Sequence, residues 1–244
     1  MSNPKKKAKS QRTPKEYHEE FGKKDIVANY FEGVKLDIKF KNENQKTYYK
    51  LLDDFEISIC SGIAGCGKTH IALFKALELL KDKSNNIERI YLSKPNVEVG
   101  EKLGFLPGTV EEKIYMYMLS FHDVLEDIIG EDLTKTLKFA NVIQYLPVQF
   151  LRGRTLKNAC VIVDECQNLT TNEIKTIITR IGMNTKYILL GDTDQSDKKF
   201  IHGEDNGLHD ALTRFEKFNK MGKFVFGPND SVRNPIINDL LKYY

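Results

Sequence analysis

Between Asn44 and Asp54, polar positions interleave with Tyr48, Tyr49, Leu51 and Leu52 at a spacing that predicts a helix. Directly after it, Ile57-Ser58-Ile59-Cys60 is a short apolar run that predicts a strand. The segment Ser61 to Thr69 is loop-like, and beyond it Ile71, Ala72, Leu73, Ala76, Leu77, Leu79 and Leu80 recur with helical periodicity until a polar turn at Lys83-Ser84-Asn85-Asn86. Further apolar runs at Ile90–Leu92, Val142–Tyr145, Cys160–Val163, Tyr187–Leu190 and Lys223–Phe226 predict strands, several of them separated by helical stretches. Runs that are apolar throughout suit strands buried on both sides. The pattern therefore predicts an α/β fold: a mostly parallel sheet flanked by helices on both faces.

The turn between the first predicted strand and the next helix reads Gly62-Ile63-Ala64-Gly65-Cys66-Gly67-Lys68-Thr69, a G-x-x-x-x-G-K-[ST] motif in its expected strand–loop–helix context. Glycines let successive backbone N–H groups converge on phosphate oxygens at the positive end of a helix. Lys68 is expected to reach the β- and γ-phosphates of ATP, and Thr69 to offer its hydroxyl to Mg2+, which takes oxygen ligands. A second magnesium contact is expected from Asp164, at the end of Cys160–Val163. Glu165, the next residue, is the expected base that polarises the attacking water. The last strand but one runs into Gly191-Asp192-Thr193-Asp194-Gln195, where Gln195 is a candidate γ-phosphate sensor, because an amide both donates to phosphate and accepts from water. Each carboxylate or amide here also suits an ordinary turn or cap; the P-loop beside them is what favours the chemical reading.

These blocks, taken with Lys94-Pro95, Val99-Gly100-Glu101-Lys102-Leu103-Gly104-Phe105-Leu106-Pro107-Gly108, Leu151-Arg152-Gly153-Arg154-Thr155-Leu156 and Asp164-Glu165-Cys166-Gln167-Asn168, resemble the PhoH-like ATPase family, whose nucleotide-binding core is similar to that of superfamily-one helicases. The resemblance covers Asn44 to the C-terminus. It implies a RecA-like sheet, ATP hydrolysis and a role on RNA, with Gln45 in the place of a residue that reads adenine. Charge that develops on the phosphates during hydrolysis calls for a positioned arginine: Arg233, which resembles an arginine of the family's C-terminal segment, is the first candidate, and Arg154 and Arg180 are alternatives. The chain departs from the family pattern at Cys66, Cys166 and Ser93-Lys94-Pro95. Cys66 stands within a ring of N–H groups, where a lowered pKa would make it oxidation-prone, a minor reading beside that of an inert loop thiol.

Charge refines the picture at one end. Lys5, Lys6, Lys7, Lys9, Arg12 and Lys15 precede the first acid, Glu16, and removing those six from the net charge of +3 leaves −3 for the remainder. Residues 1–20 are expected to be a disordered basic arm, and 21–244 one RecA-like ATPase domain without a second, RNA-cleaving domain. Such an arm can add sequence-independent phosphate contacts, and the Phe105 loop with Lys94 and Lys102 is a candidate surface for single-stranded RNA or DNA. Absence of an apolar run near the ~18 residues needed to span a bilayer, and of an apolar stretch behind the N-terminal lysines, predicts a cytoplasmic protein without membrane contact. The four cysteines and five histidines form no zinc-binding spacing. A lone motor domain needs a second surface to move against, so a homo-oligomer, in the form of a ring, is expected. Two functional classes follow: a nucleic-acid-stimulated, helicase-like ATPase, or a nucleotide-dependent switch or assembly factor.

Overall fold

The computed structural model describes residues 23–95, 116–193, 195 and 206–232. Its helices in chain order are α1 (Lys23–Asn29), α2 (Glu43–Asp54), α3 (Lys68–Lys81), α4 (Leu119–Ile129), α5 (Glu131–Phe139), α6 (Val148–Leu151), α7 (Thr171–Ile178) and α8 (Gly207–Arg214). The strands are β1 (Ile57–Ser61), β2 (Arg89–Ser93), β3 (Ile143–Tyr145), β4 (Ala159–Val163), β5 (Thr185–Gly191) and β6 (Gly222–Val225). All six apolar runs singled out in the sequence are strands, displaced by at most a few residues at their ends.

They form one sheet in the order β3-β2-β4-β5-β1-β6, every neighbouring pair parallel. Alternate strand residues feed two separate cores. Cys60, Ile90, Leu92, Cys160, Ile162, Ile188 and Leu190 face the core built with α1 to α5. Ile59, Tyr91, Val161, Val163, Tyr187 and Leu189 face the one built with α6, α7 and α8. Because the side-chain period of a strand is two, this division fixes the register: a one-residue slip would exchange the two cores. It also explains why β4 is buried at all five positions and why its sequence carries no polar alternation.

Two features seat the helices that matter for function. Asn42 caps α2 by accepting from the Gln45 backbone N–H at 2.8 Å, and the Lys75 ammonium on α3 reaches Asp53 of α2 at 2.9 Å while lying 3.6 Å above the Tyr49 ring. The C-terminal carbonyls of α3, at Leu79 and Leu80, accept from the Lys24 ammonium at 2.6 and 2.9 Å. Among the described residues, no helix is long and apolar enough to cross a membrane.

Candidate functional site

All strands being parallel, their carboxyl ends lie on one edge of the sheet, and the motif residues lie there with them. From Ser61 the chain enters the P-loop, anchored at once by the Gly62 N–H donating to the Gly191 carbonyl of neighbouring β5 at 3.1 Å. Gly67 closes the loop in the left-handed region, φ 92°, and a Cβ there would come within 2.9 Å of Gln45 Nε2. The start of α3 has neither a capping side chain nor an acid in its first turn. Its first N–H groups, at the positive end of the helix dipole, are thus left for a ligand. Lys68 reaches back over the loop, its ammonium donating to the carbonyls of Gly62 and, at 3.0 Å, Ile63.

Opposite the loop stand the acids. The Thr69 hydroxyl donates to Asp164 Oδ2 at 2.8 Å, joining residues 95 apart in sequence. Asp164, largely buried, also accepts from the Glu165 N–H at 3.0 Å. Glu165 takes φ 59°, ψ 34°, a left-handed conformation that costs a residue of this type about 1–3 kcal/mol. That turn carries its carboxylate into the cavity. Gln167, buried, donates from Nε2 to Glu165 Oε2 at 2.5 Å and accepts at Oε1 from the Asp192 N–H at 3.1 Å, tying the end of β4 to the end of β5. Gln195 follows, its N–H on the Asp192 carbonyl at 3.3 Å. Gly65, Lys68, Thr69, Asp164, Glu165 and Gln195 all line one cavity of about 340 Å³, within the range of small-molecule sites.

The description "PhoH-like protein" belongs to a family model that matches residues 37–244. The chain belongs to the PhoH-like family. This PhoH-like chain is 34% identical over 229 residues to the PhoH-like protein of Bacillus subtilis (strain 168), covering 94% of this chain and 70% of that one. It is 37% identical over 206 residues to Protein PhoH of Escherichia coli (strain K12), covering 84% of this chain and 57% of the relative. It thus spans little more than half the length of the latter. Among solved structures it is similar to the ADP complex of the large terminase from a thermophilic bacteriophage, with a TM-score of 0.41, 11% identity, 91% of this chain and 50% of that one. Pif1 helicase from Candida albicans gives a TM-score of 0.39, 15% identity, 84% of this chain and 44% of that one. Likenesses this distant carry no argument about function.

Several residues of the PhoH-like chain are placed otherwise than their sequence suggests. Cys66 is buried, with the Lys68 ammonium 3.7 Å from its sulfur, and burial raises its thiol pKa against the opposing pull of Lys68 and of loop N–H groups. The expectation of an easily oxidised thiolate is thereby reversed. Lys94, read as facing a nucleic acid, is buried, donates to Ser120 Oγ at 2.6 Å and lines the cavity. Gln45 is 5% exposed and engaged at both ends of its amide, Nε2 donating to the Cys66 carbonyl at 3.0 Å and Oε1 accepting from the Lys41 N–H at 2.7 Å. It braces the P-loop from outside and is not among the residues lining the cavity. Neither Arg154 nor Arg180 lines it. Arg233, Phe105, Lys102 and the basic arm lie outside the described residues.

Residues not singled out in the sequence complete the site. Asp230 accepts from Asn44 Nδ2 at 2.9 Å and from the Gly227 N–H at 2.7 Å, and the Val232 N–H then donates to the Gly65 carbonyl at 3.1 Å. The segment after β6 is thereby fastened to both α2 and the P-loop. No local pattern announces a bond between positions 186 apart, and Gln167 is visible only as one letter of the Asp164–Asn168 block.

Proposed function

We propose that this PhoH-like chain binds ATP with Mg2+ in the cavity at the carboxyl edge and hydrolyses it, and that a single-stranded nucleic acid, RNA in the first place, stimulates the reaction. The observation that carries the reading is the 2.8 Å contact between Thr69 and Asp164 at the uncapped start of α3. Hydroxyl and carboxylate oxygens are the donors that a small hard cation takes, and Mg2+ is ordinarily held by one or two such groups plus phosphates and water. Accordingly, a cage of three or more His, Cys, Asp or Glu side chains is not needed, and none occurs among the described residues. Thr69 and Asp164 would hold the cation, which would supply positive charge against the charge that develops on the phosphates.

The remaining steps belong to side chains. The amides of Gly65 to Thr69 and the Lys68 ammonium hold the phosphates, Lys68 exchanging its contacts with the Gly62 and Ile63 carbonyls for phosphate oxygens. Glu165, with Oε2 held by Gln167, presents Oε1 to accept a proton from the attacking water. Gln195 reads the γ-phosphate, and its movement passes to β5 through Asp192. Arg233 in cis, or an arginine from a second copy within a ring, supplies charge to the transition state. Gln45 serves as the brace beneath the loop.

The test is steady-state ATP turnover with and without single-stranded RNA or DNA. Glu165→Gln should keep nucleotide affinity and lose turnover by about 10²–10⁴-fold, and Lys68→Ala should lose both. Normal turnover by Glu165→Gln refutes its role as base. Stimulation by nucleic acid selects the helicase-like ATPase; turnover indifferent to it selects the switch or assembly factor.

A further inference from the structure

Between the carboxyl end of β3 and the amino end of β4 the chain crosses back over the sheet by way of an outward turn. Val148, Leu151 and Leu156 are buried in the core under α6 to α8. Around these anchors the intervening side chains project: Phe150 is 55% exposed, the Arg152 side chain 58%, and Arg154, Thr155 and Lys157 are exposed as well. Gly153, at φ 76°, makes the bend between the two arginines. No Asp or Glu occurs from Tyr145 to Val163. Arg152 comes within 3.6 Å of Glu173, a partly exposed pair of the kind worth little. The Arg154 guanidinium has no ion pair or hydrogen bond among the described residues.

One exposed phenylalanine is ordinary on any protein. An exposed ring flanked by two arginines and a lysine, with no acid in the segment, is a combination suited to one chemistry. Bases stack on the ring and guanidinium groups neutralise phosphates, and because stacking needs an unpaired base face, the strand must be single. The location fits too. β1 and β3 are four strand spacings apart, about 19 Å, so the start of the turn stands clear of the P-loop, and its end runs to the opposite, amino edge of the sheet, where the Thr185 hydroxyl donates to the Leu156 carbonyl at 3.0 Å. Main-chain bonds connect it with the acids: the Asp164 N–H donates to the Ser93 carbonyl at 3.0 Å, and the Val148 N–H to the Lys94 carbonyl at 3.3 Å. A shift at the end of β4 thus has a short path through β2 to the base of the turn.

We propose that the turn of residues 149–157 is a platform for single-stranded nucleic acid, with Phe150 stacking on a base and Arg152 and Arg154 contacting adjacent phosphates. The inference rests on the reading of a nucleic-acid-stimulated ATPase and gives that partner its seat. It is tested with the full chain by fluorescence anisotropy of a labelled oligouridine, with oligothymidine alongside, over a series of salt concentrations. Substituting both arginines by alanine should flatten the dependence of log K on log salt by about 1.4, since each single-strand phosphate contact contributes about 0.7. Phe150→Ala should weaken binding roughly tenfold at unchanged slope, with basal ATP turnover intact as the sign of a folded chain. Arg152→Lys with Arg154→Lys should preserve the slope. Tighter binding of oligouridine marks RNA as the partner, and parity between the probes marks a platform blind to the sugar.

Wild-type affinity and slope in the alanine variants overturn the platform while leaving nucleic-acid stimulation standing. Failure of the wild-type chain to bind or respond to either probe overturns both, with ATP hydrolysis untouched. A fall in basal turnover of Arg154→Ala that depends on protein concentration would place Arg154 in a neighbouring copy's cavity, and also overturns it.

Discussion

Gly191, the last residue of β5, stands where three parts of the site meet. Its φ lies outside the left-handed region, so alanine suits the backbone, and the cost of Gly191→Ala is steric. A Cβ there would come within 2.5 Å of Gln167 Oε1, 2.6 Å of Leu208 Cδ2 and 3.1 Å of the Gln167 backbone nitrogen. The leucine tip can swing aside, but the Gln167 backbone is fixed within a short helical turn, Cys166–Asn168. Overpacking of this kind costs about 1–3 kcal/mol, and at about 2–4 °C per kcal/mol for a chain of this size the melting temperature should fall by roughly 2–12 °C. The displaced amide also releases Glu165 Oε2 and the Asp192 N–H, so turnover should fall further than nucleotide affinity. The assays are thermal and urea denaturation and the separation of kcat from KM. Gly227→Ala is the control: φ is −82° there and the nearest atom to a Cβ, Asp230 Oδ2, is 3.7 Å away, which predicts a change within about 0.5 kcal/mol. If Gly191→Ala matches the wild-type midpoint and turnover, the strut between the ends of β4 and β5 does not exist as described.

Asp230→Ala removes the acceptor shared by Asn44 and Gly227 and should cost about 1.5–3 kcal/mol, with a weaker hold on nucleotide as Val232 loosens from Gly65; an unchanged urea midpoint would count against it. All four cysteines are buried. At pH 8 a thiol reagent should label none of them quickly and four after denaturation, and mild peroxide should leave turnover intact; fast labelling of Cys66 would contradict its placement. Burial pushes the Cys160 thiol up to about 12 from 9.0 and raises the other three. The folded chain therefore keeps protons that the unfolded chain sheds above pH 9, and stability should decline from there by up to about 1.4 kcal/mol per pH unit for each thiol, as alkaline denaturation curves will report.

What the sequence discloses and what it hides divide along the range of the interactions. β4 could be read from Cys160–Val163 because a strand covered on both faces writes itself as a continuous apolar run. The P-loop could be read because a run of backbone N–H groups that can converge on an anion needs glycines at fixed spacing, and those stand in the sequence. Gln45 shows the limit of local pattern: its position ahead of the loop marks it as notable, but whether its amide meets a base or the Cys66 carbonyl depends on how α2 packs, which neighbouring residues do not encode. Cys66 fails similarly. Its neighbours in sequence suggest an electropositive setting, and Lys68 does stand beside it, but burial among core side chains outweighs that charge. Asp230 looks like one more polar residue in a turn until the fold brings Asn44 to it.

The order of the strands has a further consequence. β1, the earliest in the chain, finds both its partners, β5 and β6, in the last third of the sequence. While the polypeptide is being made, the strand that bears the phosphate loop waits without neighbours until residues beyond 185 emerge, and such distant pairing is slow to close. Incomplete or truncated chains should have nothing with which to grip a nucleotide. Ligand would then act on the finished molecule alone, adding stability by mass action once synthesis is over.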